Sequence, residues 1–307
     1  MFLPLLFLLQ LSRLALASST TQLPQTKPGC EAKCGNITIP YPFGIGPREN
    51  ECSLTGDRSL LYNITCDTSL NPPKPFLSLG TDKFSGKYNI IELLSISDTE
   101  VRVKTVLATL CYDYKTGNET LEESMVFISV AKTPFTISST KNSLFGIGCE
   151  SYASITANNL NAFTRCNTNC ETRENVIDGS CSGNGCCQTP LFKGIKDFDY
   201  MIDGPLNTTS ETISFSPCSY AFIGESDQYS FSALDFGGSS FGTRERNVPV
   251  VLDWAIGGKT CEEAQKDLST FACQKYSNCS NSDNVPGYFC TCITGFAGNP
   301  YLSTGCE

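Results

Sequence analysis

An early segment of the chain reads Cys34-Gly35-Asn36-Ile37-Thr38-Ile39-Pro40-Tyr41-Pro42-Phe43-Gly44-Ile45-Gly46. Pro40 and Pro42 carry no backbone N–H, so neither can donate a hydrogen bond to a neighbouring strand. Gly44 and Gly46 permit the backbone angles of tight turns. The segment is therefore expected to be an extended edge strand that runs into a tight loop.

Cysteine and histidine content restrict both the compartment and the chemistry of the protein. The 307 residues include 18 cysteines and no histidine. All of the cysteines follow residues 1–17, which have the apolar run and the small residues Ala15 and Ala17 of a secretory signal peptide. An even number of cysteines in an oxidising compartment predicts disulfides. Without histidine, a Ser-His-Asp or Cys-His nucleophile system and an imidazole metal site are excluded.

Other bulk features agree with a secreted protein. Residues 18–29 are rich in Ser, Thr, Gln and Pro and are expected to be a flexible spacer. The formal net charge of −9 argues against nucleic acid as a partner. After the signal peptide, no apolar run is long enough for a membrane span, so none is expected within this chain. Five sequons predict N-linked glycans at Asn36, Asn63, Asn118, Asn207 and Asn278.

The hydrophobic pattern is mostly that of β-strands. Residues 88–96 and 99–107 read as two strands joined by a turn at Ser97-Asp98, with Val101, Val103 and Thr105 alternating against charged neighbours. Only Glu262 to Phe271 reads as a helix. Trp254, the single tryptophan, is expected in the core. Further strand candidates are 125–130, 135–138, 144–148, 212–215, 220–223, 229–234 and 248–254.

Residues 261–306 have a different character from the rest of the chain. Their six cysteines follow the spacing C-x11-C-x5-C-x10-C-x-C-x13-C, with Pro286-Gly287-Tyr288-Phe289 before the fourth. This segment, 261–306, resembles an EGF-like domain. The resemblance implies the pairs Cys261–Cys279, Cys273–Cys290 and Cys292–Cys306, since so short a module needs cross-links. Calcium-binding members carry acidic or amide ligands before the first cysteine, whereas this chain has Gly257-Gly258-Lys259-Thr260, so no metal site and no cofactor are expected.

The larger part of the chain resembles the extracellular region of plant wall-associated receptor kinases. The opening segment 34–46 matches the start of their galacturonan-binding module, and three later landmarks follow in order: 181–187, 216–222 and 251–257. The resemblance implies a mostly β, disulfide-rich, multi-module ectodomain. Its expected parts are a galacturonan-binding-like module over 30–110, a second cysteine-rich β module over 111–260 and the C-terminal EGF-like domain as a stalk or spacer.

The family usually continues with a calcium-type EGF-like module, a membrane helix and a kinase. We expect this chain to be either an ectodomain fragment or a naturally secreted relative. Kinase activity is not carried over, because none of the kinase motifs is present. Pairing of the twelve earlier cysteines stays open, although the adjacent Cys186 and Cys187 are expected to join two separate bridges.

Galacturonan is a polyanion, so the resemblance implies a cationic binding face. Residues 30–110 hold eight Lys/Arg against nine Asp/Glu, whereas residues 111–260 hold ten against seventeen. The first module therefore repels such a ligand less. Calcium is expected only as a bridge within the pectin ligand. The candidate ligand-binding residues are Arg102 and Lys104, which share a strand face, Lys83 and Lys87 across the hairpin, and Arg48 and Lys33.

Alternatives remain at this point. These charges could be ordinary solvated groups on an amphipathic sheet. Tyr41 and Phe43 could stack on sugar rings, but beside prolines they are expected to pack inward. The chain could be a protein-binding co-receptor or secreted decoy acting through its EGF-like and middle modules. A carboxylate-based pectin hydrolase is a further alternative, for which pairs such as Glu122-Glu123 or Asp197/Asp199 supply acids without a defined cleft.

Overall fold

The structure is a computed structural model of the chain. It describes residues 25–47, 50–55, 62–81, 88–113, 116, 119–120, 123–170, 172–204, 210–237, 248–284 and 286–307. The expected signal peptide, residues 1–17, lies outside the described residues.

Strands dominate this described part of the chain, which confirms the mostly β, disulfide-rich prediction. Two short α-helices are α1 (Ser210–Phe215) and α2 (Cys261–Ala264). The strands are β1 (Lys33–Cys34), β2 (Ile37–Thr38), β3 (Gly44–Ile45), β4 (Asn63–Asp67), β5 (Lys74–Thr81), β6 (Tyr88–Ile96), β7 (Glu100–Lys104), β8 (Ala108–Tyr112), β9 (Glu119–Thr120), β10 (Met125–Ser129), β11 (Phe135–Ile137), β12 (Asn142–Ile147), β13 (Tyr152–Ala157), β14 (Ala162–Asn167), β15 (Cys186–Pro190), β16 (Asp197–Asp203), β17 (Cys218–Glu225), β18 (Pro249–Trp254), β19 (Ser277–Asn281) and β20 (Tyr288–Cys292).

The largest sheet has seven strands in the order β11-β18-β7-β6-β5-β4-β3. Its pairs are antiparallel except for β3 beside β4. Alternating burial along β7 distinguishes the two faces of this sheet. Val101 and Val103 are fully buried, whereas Arg102 and Lys104 are partly exposed. One face of this sheet is therefore core, and the opposite face carries charge.

A five-stranded sheet, in the order β15-β12-β17-β8-β9, is buried on both faces at its centre. All described side chains of β12 and β17 are buried. Leu144 and Ile223 join the main core, while Phe145 and Phe222 stack at 5.1 Å in a second core that also contains Cys111 and Cys218. The third sheet, β10-β16-β13-β14, adds Phe198 and Tyr200 to the main core. Near-continuous apolar sequence on β12 and β17 reflects this two-sided burial.

Three sequence predictions about local structure are wrong. Residues 212–215 belong to helix α1, in which the Ser216 N–H donates to the Thr212 carbonyl at 2.9 Å. Residues 229–232 form no strand and lead into a 3-10 helix (Ala233–Phe236). The Asp235 carboxylate caps this helix by accepting from the Ser232 N–H at 2.9 Å. The helix expected over 262–271 ends early as α2, since Asp267 forms a turn with the Ser269 hydroxyl at 2.6 Å.

The opening segment does not form the single extended edge strand that was expected: only Gly44–Ile45 lies at the edge of the large sheet, and Tyr41-Pro42 forms a turn. Several of its side chains are packed rather than exposed. Ile39, Tyr41 and Phe43 point into the main core, and the Phe43 ring lies 5.1 Å from that of Trp254. At Gly44 a Cβ atom would overlap the backbone of Cys52, so the residue type is set by this close approach. The inward packing of Tyr41 and Phe43 rules them out as sugar platforms in this conformation.

Residues 25–27, expected to belong to a flexible spacer, instead contact the opening segment. The Tyr41 N–H donates to the Gln25 carbonyl at 2.8 Å, and the buried Thr26 hydroxyl donates to the Ile39 carbonyl at 3.2 Å. Lys27 places its ammonium 4.9 Å from the centroid of the Tyr41 ring. The backbone of the opening segment supplies partners that composition alone does not reveal.

Nine disulfides hold the chain, and every cysteine is paired. The EGF-like segment has the pairs Cys261–Cys279, Cys273–Cys290 and Cys292–Cys306, which are those that the resemblance implies. Cys186 and Cys187 join separate bridges. The remaining pairs, which spacing left open, are Cys30–Cys52, Cys34–Cys66, Cys111–Cys218, Cys149–Cys170, Cys166–Cys187 and Cys181–Cys186.

The expected modules share sheets and core. The boundary placed between residues 110 and 111 falls inside β8, and β18 from the second module pairs along β7 from the first. The EGF-like segment is docked as well: Ile256 and Tyr288 exchange two backbone hydrogen bonds of 2.7 and 3.2 Å. The buried Asn299 amide donates to the Tyr41 carbonyl at 2.6 Å. The segment is therefore packed onto the β body and does not stand off from it as a spacer.

Candidate functional site

The candidate site is the outward face of β5, β6 and β7, here called the open face. In the pairing register, Phe76 lies opposite Glu92 and Ser78 lies opposite Ile90, so these side chains share one side of the sheet. Leu77, Ile91 and Val103 between them point into the core. The open face consists of Lys74, Phe76, Ser78, Ile90, Glu92 and Lys104. It combines exposed apolar area, with Ile90 at 59% exposure, and two ammonium groups.

Glu92 lies between the two lysines. Its carboxylate contacts the Lys74 ammonium at 2.7 Å and the Lys104 ammonium at 3.4 Å. Partial burial acts to raise the pKa of Glu92, but the hydrogen bonds and charges of Lys74 and Lys104 outweigh it, so the net pKa is lowered. The trio carries one net positive charge on a surface where both lysine side chains remain a third or more exposed. An anion approaching this face meets two positioned donors.

Arg102, a predicted ligand-binding residue, is bound internally. Its guanidinium donates to both oxygens of Glu225 on β17, at 2.6 and 3.0 Å, and lies 3.6 Å from Glu100. The hydrogen bonds that Arg102 donates to Glu225 outweigh the opposing effect of burial and raise the pKa of Arg102. A two-pronged guanidinium–carboxylate pair satisfies the geometry that a uronate would use. Arg102 therefore links two sheets: it shares the outward side of β7 with Lys104, but its guanidinium is already bound to Glu225.

Of the other predicted ligand-binding cations, only two lie within the described residues. Lys104 lies on the open face. Lys33 is exposed on the short strand β1, which belongs to a separate two-stranded sheet. Lys83, Lys87 and Arg48 lie outside the described residues.

Lys74 and Phe76 are site residues that the sequence reasoning missed. The segment from Lys74 to Leu79 alternates polar or exposed positions with buried ones, at Pro75, Leu77 and Leu79. This period-2 pattern would have placed Lys74, Phe76 and Ser78 on one face. What it could not show is that Glu92, on the next strand, brings Lys74 and Lys104 together.

Of the predicted glycan acceptors, Asn36 and Asn278 are exposed and Asn63 is half-buried on β4. Asn118 and Asn207 lie outside the described residues. Among the described carboxylates, Asp199 on β16 accepts a hydrogen bond from the Asn158 amide at 3.1 Å. A search of the described residues finds no group of three acidic, cysteine or histidine side chains able to hold a metal ion. Within the same residues, no helix has the length and apolar content to cross a membrane.

The fold and the site together define a class: a disulfide-rich, mostly β extracellular module with a cationic sheet face. Residues 30–105 match the family model described as wall-associated receptor kinase galacturonan-binding. This match includes β5, β6 and β7 and therefore the whole open face.

Curated relatives extend the likeness over most of the chain. Wall-associated receptor kinase 2 of Arabidopsis thaliana is 33% identical over 293 residues, which cover 94% of this chain and 36% of the relative. Wall-associated receptor kinase 1 of the same plant is 33% identical over 290 residues, covering 92% and 35%. Wall-associated receptor kinase-like 4 is 27% identical over 303 residues, covering 90% and 36%. No solved structure matches.

These matches identify the chain as a member of the wall-associated receptor kinase family. The chain corresponds to the extracellular region of that family. The chain spans about a third of the length of the curated relatives it matches.

Proposed function

We propose that the chain binds an acidic cell-wall polysaccharide, de-esterified homogalacturonan or its oligogalacturonides, on the open face. The observation that carries this proposal is the convergence of the Lys74 and Lys104 ammonium groups on the carboxylate of Glu92, whose side chain is 17% exposed. A ligand uronate would approach the sides of these ammonium groups that Glu92 leaves free. The family match over residues 30–105 supports the same segment.

Each side chain of the open face has a part in this proposal. Lys74 and Lys104 contact a uronate as point charges, since an ammonium group imposes no planar geometry. Glu92 holds both lysines in place. Phe76 and Ile90 offer apolar surface to the C–H faces of the sugar rings. The Arg102–Glu225 pair fixes the position of β7 beneath them.

The test compares lysines on and off this face in the folded, glycosylated protein. Oligogalacturonide binding is measured by calorimetry for the wild type, for Lys74→Ala with Lys104→Ala, and for Lys132→Ala, an exposed lysine in another loop. We expect the double variant to bind about tenfold more weakly or worse, and Lys132→Ala to bind as the wild type does. Affinity should fall as salt rises, because salt screens exposed charge pairs.

Two results would contradict the proposal. If the double variant retains wild-type affinity, the open face is not the binding site. If the wild type binds no polygalacturonate, the function itself is wrong. Release of reducing sugar from pectin would instead favour the hydrolase. Calcium enters only as a bridge between ligand chains, so chelation should change binding of long polymers more than of short oligomers.

The proposed setting is the extracellular face of the plasma membrane or the cell wall. It follows from the family match and from the predicted signal peptide. The chain would serve there as the ligand-binding region of a membrane-anchored receptor or as a secreted form.

A protein-binding co-receptor or decoy is the second candidate, and one observation favours it. In the EGF-like segment, Tyr276 and Phe296 stack at 4.4 Å and remain 43% and 36% exposed. Exposed aromatic pairs are common at protein interfaces. Pull-down of a specific extracellular protein that Tyr276→Ala with Phe296→Ala abolishes would support this function.

A further inference from the structure

A cleft of about 300 Å³ lies where the EGF-like segment meets the β body. Strand β18 forms its floor through Asp253 and Trp254. One wall is the loop from Ser282 to Asn284, together with Phe289 on β20, and the opposite wall includes Lys193 and the polar residues Thr99, Ser139 and Thr140. Clefts of this size at the junction of two modules are common positions for small ligands.

The cleft is preformed, because Asn284 ties its walls to its floor. The Asn284 amide group donates to the Asp253 carboxylate at 2.7 Å and to the Ile137 carbonyl at 2.9 Å. Its side-chain oxygen accepts from the Gly194 N–H at 2.9 Å. The Trp254 indole is fixed in turn by its hydrogen bond to the Ser97 carbonyl at 3.1 Å. A ligand would therefore lose little affinity to ordering of the protein.

The chemistry of the lining is that of a site for hydroxyl groups. In the described part of the chain, the side-chain hydroxyls of Thr99, Ser139 and Ser282 make no internal hydrogen bond, so they are available to a ligand. The Asp253 carboxylate can accept hydrogen bonds from two ligand hydroxyls beside its bonds from Asn284 and Ser138. Phe289 is half-buried and gives one wall an apolar surface. Each hydroxyl both donates and accepts, and this suits a ligand rich in hydroxyl groups.

The charge of the lining disfavours a polyanion. Asp253 and Asp283 face one cation, Lys193, so the lining carries one net negative charge. Glu100 adds negative charge nearby and Lys141 positive charge. A uronate carboxylate would be repelled at the floor of this cleft, whereas an uncharged sugar would not.

We propose that this cleft is a second binding site, which takes a neutral saccharide of one or two units. Asp253 and the hydroxyls of Ser139 and Ser282 bind the sugar hydroxyls, and Phe289 packs against a ring face. The site is separate from the open face in both residues and charge. It therefore stands whether or not the open face binds galacturonan.

Fluorescence tests the proposal directly, because Trp254 is the single tryptophan and lies in the floor. The folded protein is titrated with methyl α-galactopyranoside, cellobiose and xylobiose, up to about 50 mM, a range that detects millimolar affinity. We expect at least one of these sugars to change the Trp254 emission in a saturable way. Ser139→Ala with Ser282→Ala, which removes no internal hydrogen bond, should weaken that binding about tenfold, and Asp253→Asn about fivefold.

The matched control is Lys74→Ala with Lys104→Ala, which should leave the response to the neutral sugar unchanged. The proposal is overturned if none of the three sugars changes the emission. It is also overturned if both cleft variants bind like the wild type. Failure of Asp253→Asn to fold does not weaken the test, since the serine variant lies at the rim.

Discussion

Arg102 on β7 and Glu225 on β17 are 123 positions apart in sequence and form two charged hydrogen bonds of 3.0 and 2.6 Å. Glu225 keeps only 8% of its side chain exposed. The pair joins the seven-stranded sheet to the five-stranded sheet. Arg102, which the sequence predicts to be a ligand-binding residue, thus stabilises the fold by linking two sheets.

Removal of Arg102 should destabilise the protein. Arg102→Ala leaves the Glu225 carboxylate poorly solvated and without its partner, so we expect the free energy of unfolding to fall by about 2 kcal/mol. Denaturant unfolding measures this change. In Arg102→Ala with Glu225→Ala the loss should be less than the sum of the two single losses. Normal stability together with strongly weakened oligogalacturonide binding would show instead that Arg102 contacts the ligand.

Glu92 should give stability that depends on pH. Its pKa is lowered in the folded state from the ordinary value of 4.5. The stabilisation is therefore fully present above about pH 4.5 and is lost as the pH falls through the folded-state pKa. Glu92→Gln should differ from the wild type in free energy of unfolding at pH 6 and approach it near pH 3. Glu31→Gln, at an exposed position, is the control, and a constant difference for Glu92→Gln across this range would contradict the assignment.

Gly44 should not tolerate a side chain. Gly44→Ala places a methyl group against the backbone of Cys52, and we expect a loss of about 1–3 kcal/mol and less efficient formation of Cys30–Cys52. Gly258→Ala is the matched control, because a Cβ atom there meets nothing within 4 Å. Thermal unfolding and a free-thiol assay compare the two variants. Equal stability would show that the Cys52 segment can move away.

Asn299 should be needed for docking of the EGF-like segment. Its amide group donates to the Tyr41 and Gln25 carbonyls at 2.6 and 2.9 Å and is almost fully buried. Asn299→Ala leaves the Tyr41 carbonyl without its partner, whereas the Gln25 carbonyl keeps the hydrogen bond from the Tyr41 N–H. Hydrogen exchange at Tyr41 and near the Ile256–Tyr288 pair should therefore become faster. Ser303→Ala, an exposed change in the same segment, should leave exchange as in the wild type. Unchanged exchange in both variants would mean that the docking does not depend on Asn299.

Much of the strand content is predictable, because alternation of buried and exposed residues is a local property. The strand predicted over residues 88–96 has the observed bounds of β6, and the prediction at 248–254 differs from β18 by one residue. The signal for the 3-10 helix at Ala233–Phe236 is also local, because Ser232 and Asp235 form its cap. The alternating pattern of residues 229–234 predicted a strand there instead.

The candidate site was predictable only in part, since its charges depend on partners far apart in sequence. Lys104 and Arg102 look equivalent on one strand, and only the folded chain assigns one to Glu92 and the other to Glu225. The pairing of the earlier cysteines is non-local in the same way. Cys111 and Cys218 face each other because β8 and β17 are neighbours, which spacing does not reveal.

The position of β18 has a practical consequence for work on the first module. The family match ends at Thr105, directly after β7. Yet β7 is an inner strand, which pairs with β6 on one side and with Pro249–Trp254 on the other. A recombinant fragment that stops at the end of the match would present the hydrogen-bonding groups of β7 as a bare edge, with Val101 and Val103 beside it. Such an edge pairs readily with other chains, so this fragment should aggregate, and binding studies need the chain through residue 254 at least.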